Sequence, residues 1–137
     1  MSADVYSLYP KPWIMVDRII DRSAARITTV KLISASDFYL QGHFPSYSVY
    51  PGMLMVECIL QSAELLLGQR QGVGSVGPSY IVSEIASRFL SPVTPGDTVV
   101  FETGLSVSGL EVTAVGRAGS RTVIHARMKL AKGEEYA

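Results

Sequence analysis

Apolar residues recur along this chain with two different periods, and the change of period divides it. From near Gly52 to Arg70, methionine, leucine, valine, isoleucine and Cys58 cover almost the whole circumference of a helix. The polar residues Glu57, Gln61 and Glu64 stand at i, i+4 and i+7, so they form one narrow stripe. After Pro78 the period drops to two, the period of a strand. Four strands are expected there, over Tyr80–Leu90, Thr98–Ser108, Leu110–Arg117 and Thr122–Ala131. Val99, Phe101, Leu105 and Val107 alternate with Glu102, Gly104, Ser106 and Ser108. In the last strand Ile124, Ala126, Met128 and Leu130 share one face, and Val123, His125, Arg127 and Lys129 the other. Turn residues separate the strands: 91–97 with two prolines and Gly96, then Ser108-Gly109, then Ala118-Gly119-Ser120.

The chain before the helix is less regular. Tyr9-Pro10-Lys11-Pro12-Trp13 favours an extended arm, because two prolines in three residues disfavour a helix. Residues 14–20 read as a short element of mixed type, with a turn at 21–23. Ile27 to Ser34, rich in Thr, Val and Ile, reads as a strand. A Gly/Pro-punctuated loop fills about 36–51, and a glycine-rich connection, Gly68 to Pro78, follows the helix. The tail from Lys132 is charged. The expected fold is α+β: one domain over residues 1–137, with an antiparallel sheet of about five or six strands, in meander order, around one long central helix. A single sheet covers only part of so apolar a helix, and the remainder calls for a second subunit.

Composition narrows the function. The 137 residues are 47% apolar and 18% charged, with a formal net charge of zero. Global charge therefore gives no support for nucleic acid or an anionic membrane as partner. One cysteine, Cys58, leaves no intrachain disulfide. No basic-then-apolar leader opens the sequence, and the helix is too short and too polar on one side to span a bilayer. The expected location is the cytoplasm.

Candidate chemistry gathers around residues 41–61. His43 is one of two histidines and suits a general base near neutrality. Glu57 sits among apolar residues, where an ionised carboxylate is costly unless paired or wet and a protonated one serves as a general acid. Pro51-Gly52 opens the helix, where unpaired N–H groups and the positive end of the dipole can meet a substrate oxygen. Base, donor and acid around one volume suit proton abstraction beside a carbonyl and protonation of a leaving group. His125 reads as a surface residue and Cys58 as core. Metal-ligand spacing and phosphate-binding glycine motifs are both missing from the sequence.

Three ordered segments carry a resemblance over nearly the whole chain. They are Tyr9-Pro10 with Ile14-Met15-Val16-Asp17-Arg18-Ile19; Gly42-His43-Phe44-Pro45 with Val49, Pro51-Gly52, Glu57 and Gln61; and Arg88-Phe89 with Pro92-Val93 and Pro95-Gly96-Asp97. In these the chain resembles the FabZ-type 3-hydroxyacyl-acyl-carrier-protein dehydratases of the hot-dog fold. The resemblance implies that His43 takes the α-proton of a (3R)-3-hydroxyacyl thioester and that Glu57 protonates the departing hydroxyl. It further implies that the Gly52 N–H polarises the thioester carbonyl and that Gln61 orients Glu57. Phe44 and Tyr47 are expected as supporting residues, with Tyr47 narrowing the pocket or touching the acyl group, and Arg88 is expected against the carrier protein. No cofactor or metal is implied. The expected partners are an acyl carrier protein with its phosphopantetheine-linked substrate and a second subunit, in a homodimer, a higher oligomer or a heterodimer, with His and Glu of one site coming from different chains. The pathway is fatty-acid or polyketide and polyene synthesis. Ser46-Tyr47-Ser48 and Glu64 depart from the family pattern, which keeps two alternatives open: a hot-dog acyl thioesterase, and a helper subunit of a mixed dehydratase.

Overall fold

The computed structural model describes residues 14–36, 49–71 and 80–132. The N-terminal arm to residue 13, residues 37–48 with His43, Phe44 and Tyr47, residues 72–79 of the glycine-rich connection and the tail from residue 133 lie outside the described residues, whereas Gly68 continues the helix it was expected to end. In chain order the elements are β1 (Arg18–Arg22), β2 (Arg26–Leu32), α1 (Gly52–Gln71), β3 (Tyr80–Phe89), β4 (Thr98–Leu105), β5 (Glu111–Ala118) and β6 (Arg121–Lys132). All six strands join one antiparallel sheet in the order β1-β2-β4-β5-β6-β3. Among the described residues, one helix and six antiparallel strands meet the sequence expectation.

Three details differ from it. Residues 14–23 hold a strand where a mixed element and a turn were expected, because a bulge between Ile19 and Asp21 breaks the alternation that would have marked it. The strands do not form one meander: β4, β5 and β6 are neighbours, but β3 pairs with β6 instead of β4. The segment 90–97 is accordingly a crossover and not a hairpin turn. It is tied down by Leu90 N–H to Val123 O (2.9 Å), Tyr50 N–H to Val93 O (2.7 Å) and Ile33 N–H to Asp97 O (3.0 Å). Lastly, Val107 is fully exposed instead of continuing the apolar row. The ladder stops at Leu105, and Ser106–Gly109 turns the chain with Gly109 at φ 76°.

The core lies between α1 and the concave face of the sheet. Val99, Phe101, Val112, Ala114, Ile124, Ala126 and Met128 line that face, each under 9% exposed, as the period-two pattern requires. The outward row His125, Arg127 and Lys129 is exposed, whereas Val123 of that row is buried. A register shift at Gly116/Arg117 accounts for it, since Gly116 faces Ile124 and Arg117 faces Thr122, leaving Val123 as the extra residue. The helix packs chiefly over β2 and β4. Thr29, inward on β2, meets Ser62 of the helix at 2.8 Å between hydroxyl oxygens, and Ser62 donates to the Cys58 carbonyl at 2.7 Å. Because the helix sits toward this side, the inward side of β3 is left partly bare, with Ile85 43% and Phe89 50% exposed.

Candidate active site

The polar stripe of α1 is resolved residue by residue. Met53, Glu57, Leu60, Glu64 and Gly68 are exposed or half-buried and form the open side of the helix, whereas Gln61 is only 3% exposed and turns inward. The Met15 N–H donates to Gln61 Oε1 at 2.8 Å. A backbone N–H can only donate, so it selects the amide oxygen and leaves the Gln61 NH2 to face the helix stripe. That NH2 donates to Glu57 Oε1 at 3.2 Å. The Glu57 carboxyl group is thus held by a side chain that is itself held by the main chain of a different segment.

That segment is the one preceding β1. Met15 and Val16 are buried. The Asp17 carboxylate accepts from the Leu32 N–H at 2.7 Å and faces the Lys31 ammonium at 3.5 Å, and the Asp17 N–H donates to Val30 O at 2.9 Å. Asp17 therefore staples 14–17 to the end of β2, which fixes where the Met15 N–H points. The third motif does similar work at the other end: Asp97 Oδ2 accepts from the Thr94 N–H at 2.9 Å and Arg121 Nη2 at 3.2 Å, closing the crossover turn.

The helix begins at Gly52 with no acidic residue in its first turn. Among the described residues nothing accepts from the Gly52 N–H. A Cβ on Gly52 would stand 2.6 Å from Phe89 Cε1, so glycine is required here for the phenyl ring to lie on the helix start. Val49, Gly52, Met53, Phe89, Leu90 and Pro92 line an apolar groove of about 460 Å³. Glu57 is five residues further along, about 7.5 Å along the helix axis at 1.5 Å per residue. The apolar groove therefore meets the helix N-terminus, and the held carboxyl group follows about one and a half turns further along the same helix.

Arg88 is exposed on the outward side of β3, opposite His125, and Phe89 follows it on the inward side. His125 is exposed, as expected from its strand face, and Cys58 is fully buried, with desolvation pushing its thiol pKa far up. A nucleophilic role for that thiol is out of reach. Glu64 is exposed, and partial burial of its carboxyl group raises its pKa. His43, Phe44 and Tyr47 lie outside the described residues. Sequence reasoning missed the Met15–Gln61 anchor and the Phe89 ring on Gly52. The Val-Asp-Arg and Arg-Phe segments were both visible, but the contacts they make are long-range.

A held acid on a single long helix, wrapped by one antiparallel sheet, defines a protein of the hot-dog class. The chain belongs to the FabA-like family, whose domain matches residues 8–136, and it stands among that family's dehydratases. It is 37% identical over 123 residues to the 3-hydroxyacyl-[acyl-carrier-protein] dehydratase FabZ of Thermotoga petrophila, spanning 87% of this chain and 86% of that protein. It is 31% identical over 126 residues to the FabZ of Thermus thermophilus, spanning 92% and 82%. Among solved structures, the dehydratase heterocomplex ApeI:P of Xenorhabdus doucetiae shares the fold, with a TM-score of 0.71 at 18% identity over 85% of this chain and 96% of that one. A hypothetical thioesterase with coenzyme A from Streptococcus pneumoniae also shares it, with a TM-score of 0.66 at 11% identity over 82% of each chain.

Proposed function

We propose that this chain is a cofactor-free dehydratase that converts (3R)-3-hydroxyacyl thioesters on an acyl carrier protein to trans-2-enoyl thioesters, in fatty-acid or polyketide synthesis. His43 takes the α-proton. The Gly52 N–H and the helix dipole receive the negative charge that develops on the thioester oxygen. A protonated Glu57 gives its proton to the departing 3-hydroxyl, which leaves as water. The observation that carries this reading is the chain Met15 N–H, Gln61, Glu57, which holds one carboxyl group in place on a largely apolar helix. The relatives named FabZ support the substrate class.

A second chain belongs to this reading. The open helix stripe and the bare inward side of β3 both await cover, and β3, an edge strand among the described residues, offers backbone groups to a like strand. The site is then completed across the interface, with His43 of one chain serving Glu57 of the other. A related chain on the same edge would give a mixed dimer, as in the neighbour named a heterocomplex.

The test is product formation from a carrier-bound 3-hydroxyacyl chain. Glu57→Gln and His43→Ala should each lower kcat by a factor of about 10² to 10⁴, the range for lost general acid–base catalysis. Release of free carrier thiol without enoyl product would point to the thioesterase instead. Full turnover by both variants would remove these residues from the chemistry.

A further inference from the structure

The open side of α1 narrows as the helix runs on. Met53, Glu57 and Leu60 share it over residues 52–60. Over residues 61–68 only Glu64 and Gly68 reach it, and the rest of that stretch is buried. Glu64 stands seven residues beyond Glu57, and seven residues fall only about 20° short of two full turns, so both side chains leave the helix on one side. Their separation along the axis is about 10.5 Å at 1.5 Å per residue. Leu60 lies between them, while Gln61 turns into the core.

The two directions away from Glu57 are unlike. Toward the helix start the stripe ends after about 7.5 Å, at Gly52, on which the Phe89 ring lies. Toward the helix end it stays open: among the described residues a Cβ on Gly68 would meet nothing within 4 Å. The thioester end of a substrate belongs with the N–H donors of a helix start, so its tail has the open direction, past Leu60 toward Glu64. There it meets a carboxyl group that pairs with no cation among the described residues. Partial burial already raises the pKa of that group. A methylene chain laid against it removes more of its water and supplies no hydrogen bond in exchange.

We propose that Glu64 is a specificity-determining residue that limits the length of the acyl group, admitting chains that end short of it and rejecting longer apolar ones. This rests on the dehydratase reading above and deepens it by naming the substrate class of the same site. Distance sets the limit. An extended chain gains about 3.5 Å for every three bonds, so the ~10.5 Å from Glu57 to Glu64 is about nine bonds. Counted from the carbon that bears the 3-hydroxyl, the tail meets Glu64 at about its twelfth carbon. Shorter chains touch only Leu60 and leave the Glu64 carboxyl group to water. Longer ones must cross it, because no other residue of 61–68 offers the tail an open apolar surface.

The experiment measures kcat/KM for the full chain on carrier-bound 3-hydroxyacyl groups of four, eight, twelve and sixteen carbons, for the wild type, Glu64→Leu and Glu64→Gln. The wild type should lose tenfold or more between eight and sixteen carbons. Glu64→Leu should recover most of that loss on sixteen carbons while turning over four and eight as the wild type does. Glu64→Gln, which keeps the shape and removes the charge, should fall between the two, and it decides the matter where leucine upsets folding or assembly. Equal wild-type activity on eight and sixteen carbons overturns the proposal. So does a wild-type length profile in both variants. A loss by one factor on every length, in variants whose circular dichroism and sedimentation match the wild type, overturns it as well. Enoyl product from no chain length in the wild type refutes the dehydratase reading instead, and the length limit with it.

Discussion

At the scale of single residues, Gln61 is the side chain on which the site turns. It is buried, and its two ends do different work: the oxygen accepts from Met15 and the NH2 donates to Glu57. Gln61→Leu keeps the volume close and removes both functions. The Met15 N–H then loses its acceptor in a buried place, a cost of about 1–3 kcal/mol. The carboxyl group of Glu57 also loses its positioning donor. The expected outcome is a lower urea midpoint together with a fall in kcat larger than the change in KM. Gln61→Glu, which restores an acceptor for Met15 but removes the amide donor to Glu57, should recover stability better than kcat. Denaturation curves and steady-state kinetics on the two variants separate the structural role from the positioning one. The sequence already showed Gln61 one turn after Glu57. It did not show that the amide is fixed from residue 15, because a backbone donor leaves no mark in composition or period.

At the scale of elements, the close contacts of the sheet decide what it tolerates. Gly116 on β5 has no room for a side chain: a Cβ would stand 2.7 Å from Ile124 Cγ2 and 3.0 Å from the Phe101 ring. Ile124 and Phe101 are both fully buried, so neither can swing aside into solvent. Gly116→Ala should therefore destabilise by about 1–3 kcal/mol, the usual cost of overpacking, read as a lower thermal or urea midpoint. Gly52 meets an equally close ring, but Phe89 is half exposed and free to yield, so crowding there falls on the groove before it falls on stability. The strands and the helix were legible because their periods are local. The helix bounds agree to within a residue or so, since Gly52 and the glycines after Arg70 mark both ends. Three things were hidden for one reason, that they depend on distant partners. The bulge in β1 is set by pairing with β2, the end of β4 by where its ladder stops, and the place of β3 by β6 instead of its neighbour in sequence. An alternating row such as Val99 to Val107 says that residues can share a face. It does not say how far the ladder runs.

At the scale of the whole molecule, the asymmetry of helix placement is what leaves a face for a partner. The helix lies over β2 and β4, and β3 is ten residues of edge strand whose inward side carries Ile85 and Phe89 in the open. An open apolar row beside an unpaired strand edge is the combination that invites a like strand, and a chain that lacks such a partner risks aggregation. Ile85 is the better residue to test, because it stands away from the Gly52–Phe89 contact that lines the groove. Ile85 is 43% exposed within one chain, so a charge there is solvated in the monomer and costs the fold little. The same charge is desolvated if a second copy covers β3. Ile85→Glu should therefore convert a dimer to a monomer in sedimentation velocity while circular dichroism stays unchanged. Turnover should fall with it, because a site built from His43 of one chain and Glu57 of the other is incomplete in a monomer. Mixing His43→Ala with Glu57→Gln adds a separate check, since a shared site regains about a quarter to a half of wild-type activity per dimer as hybrid dimers assemble. An unchanged sedimentation coefficient for Ile85→Glu would place the interface elsewhere. No recovery on mixing would place both groups of each site within one chain.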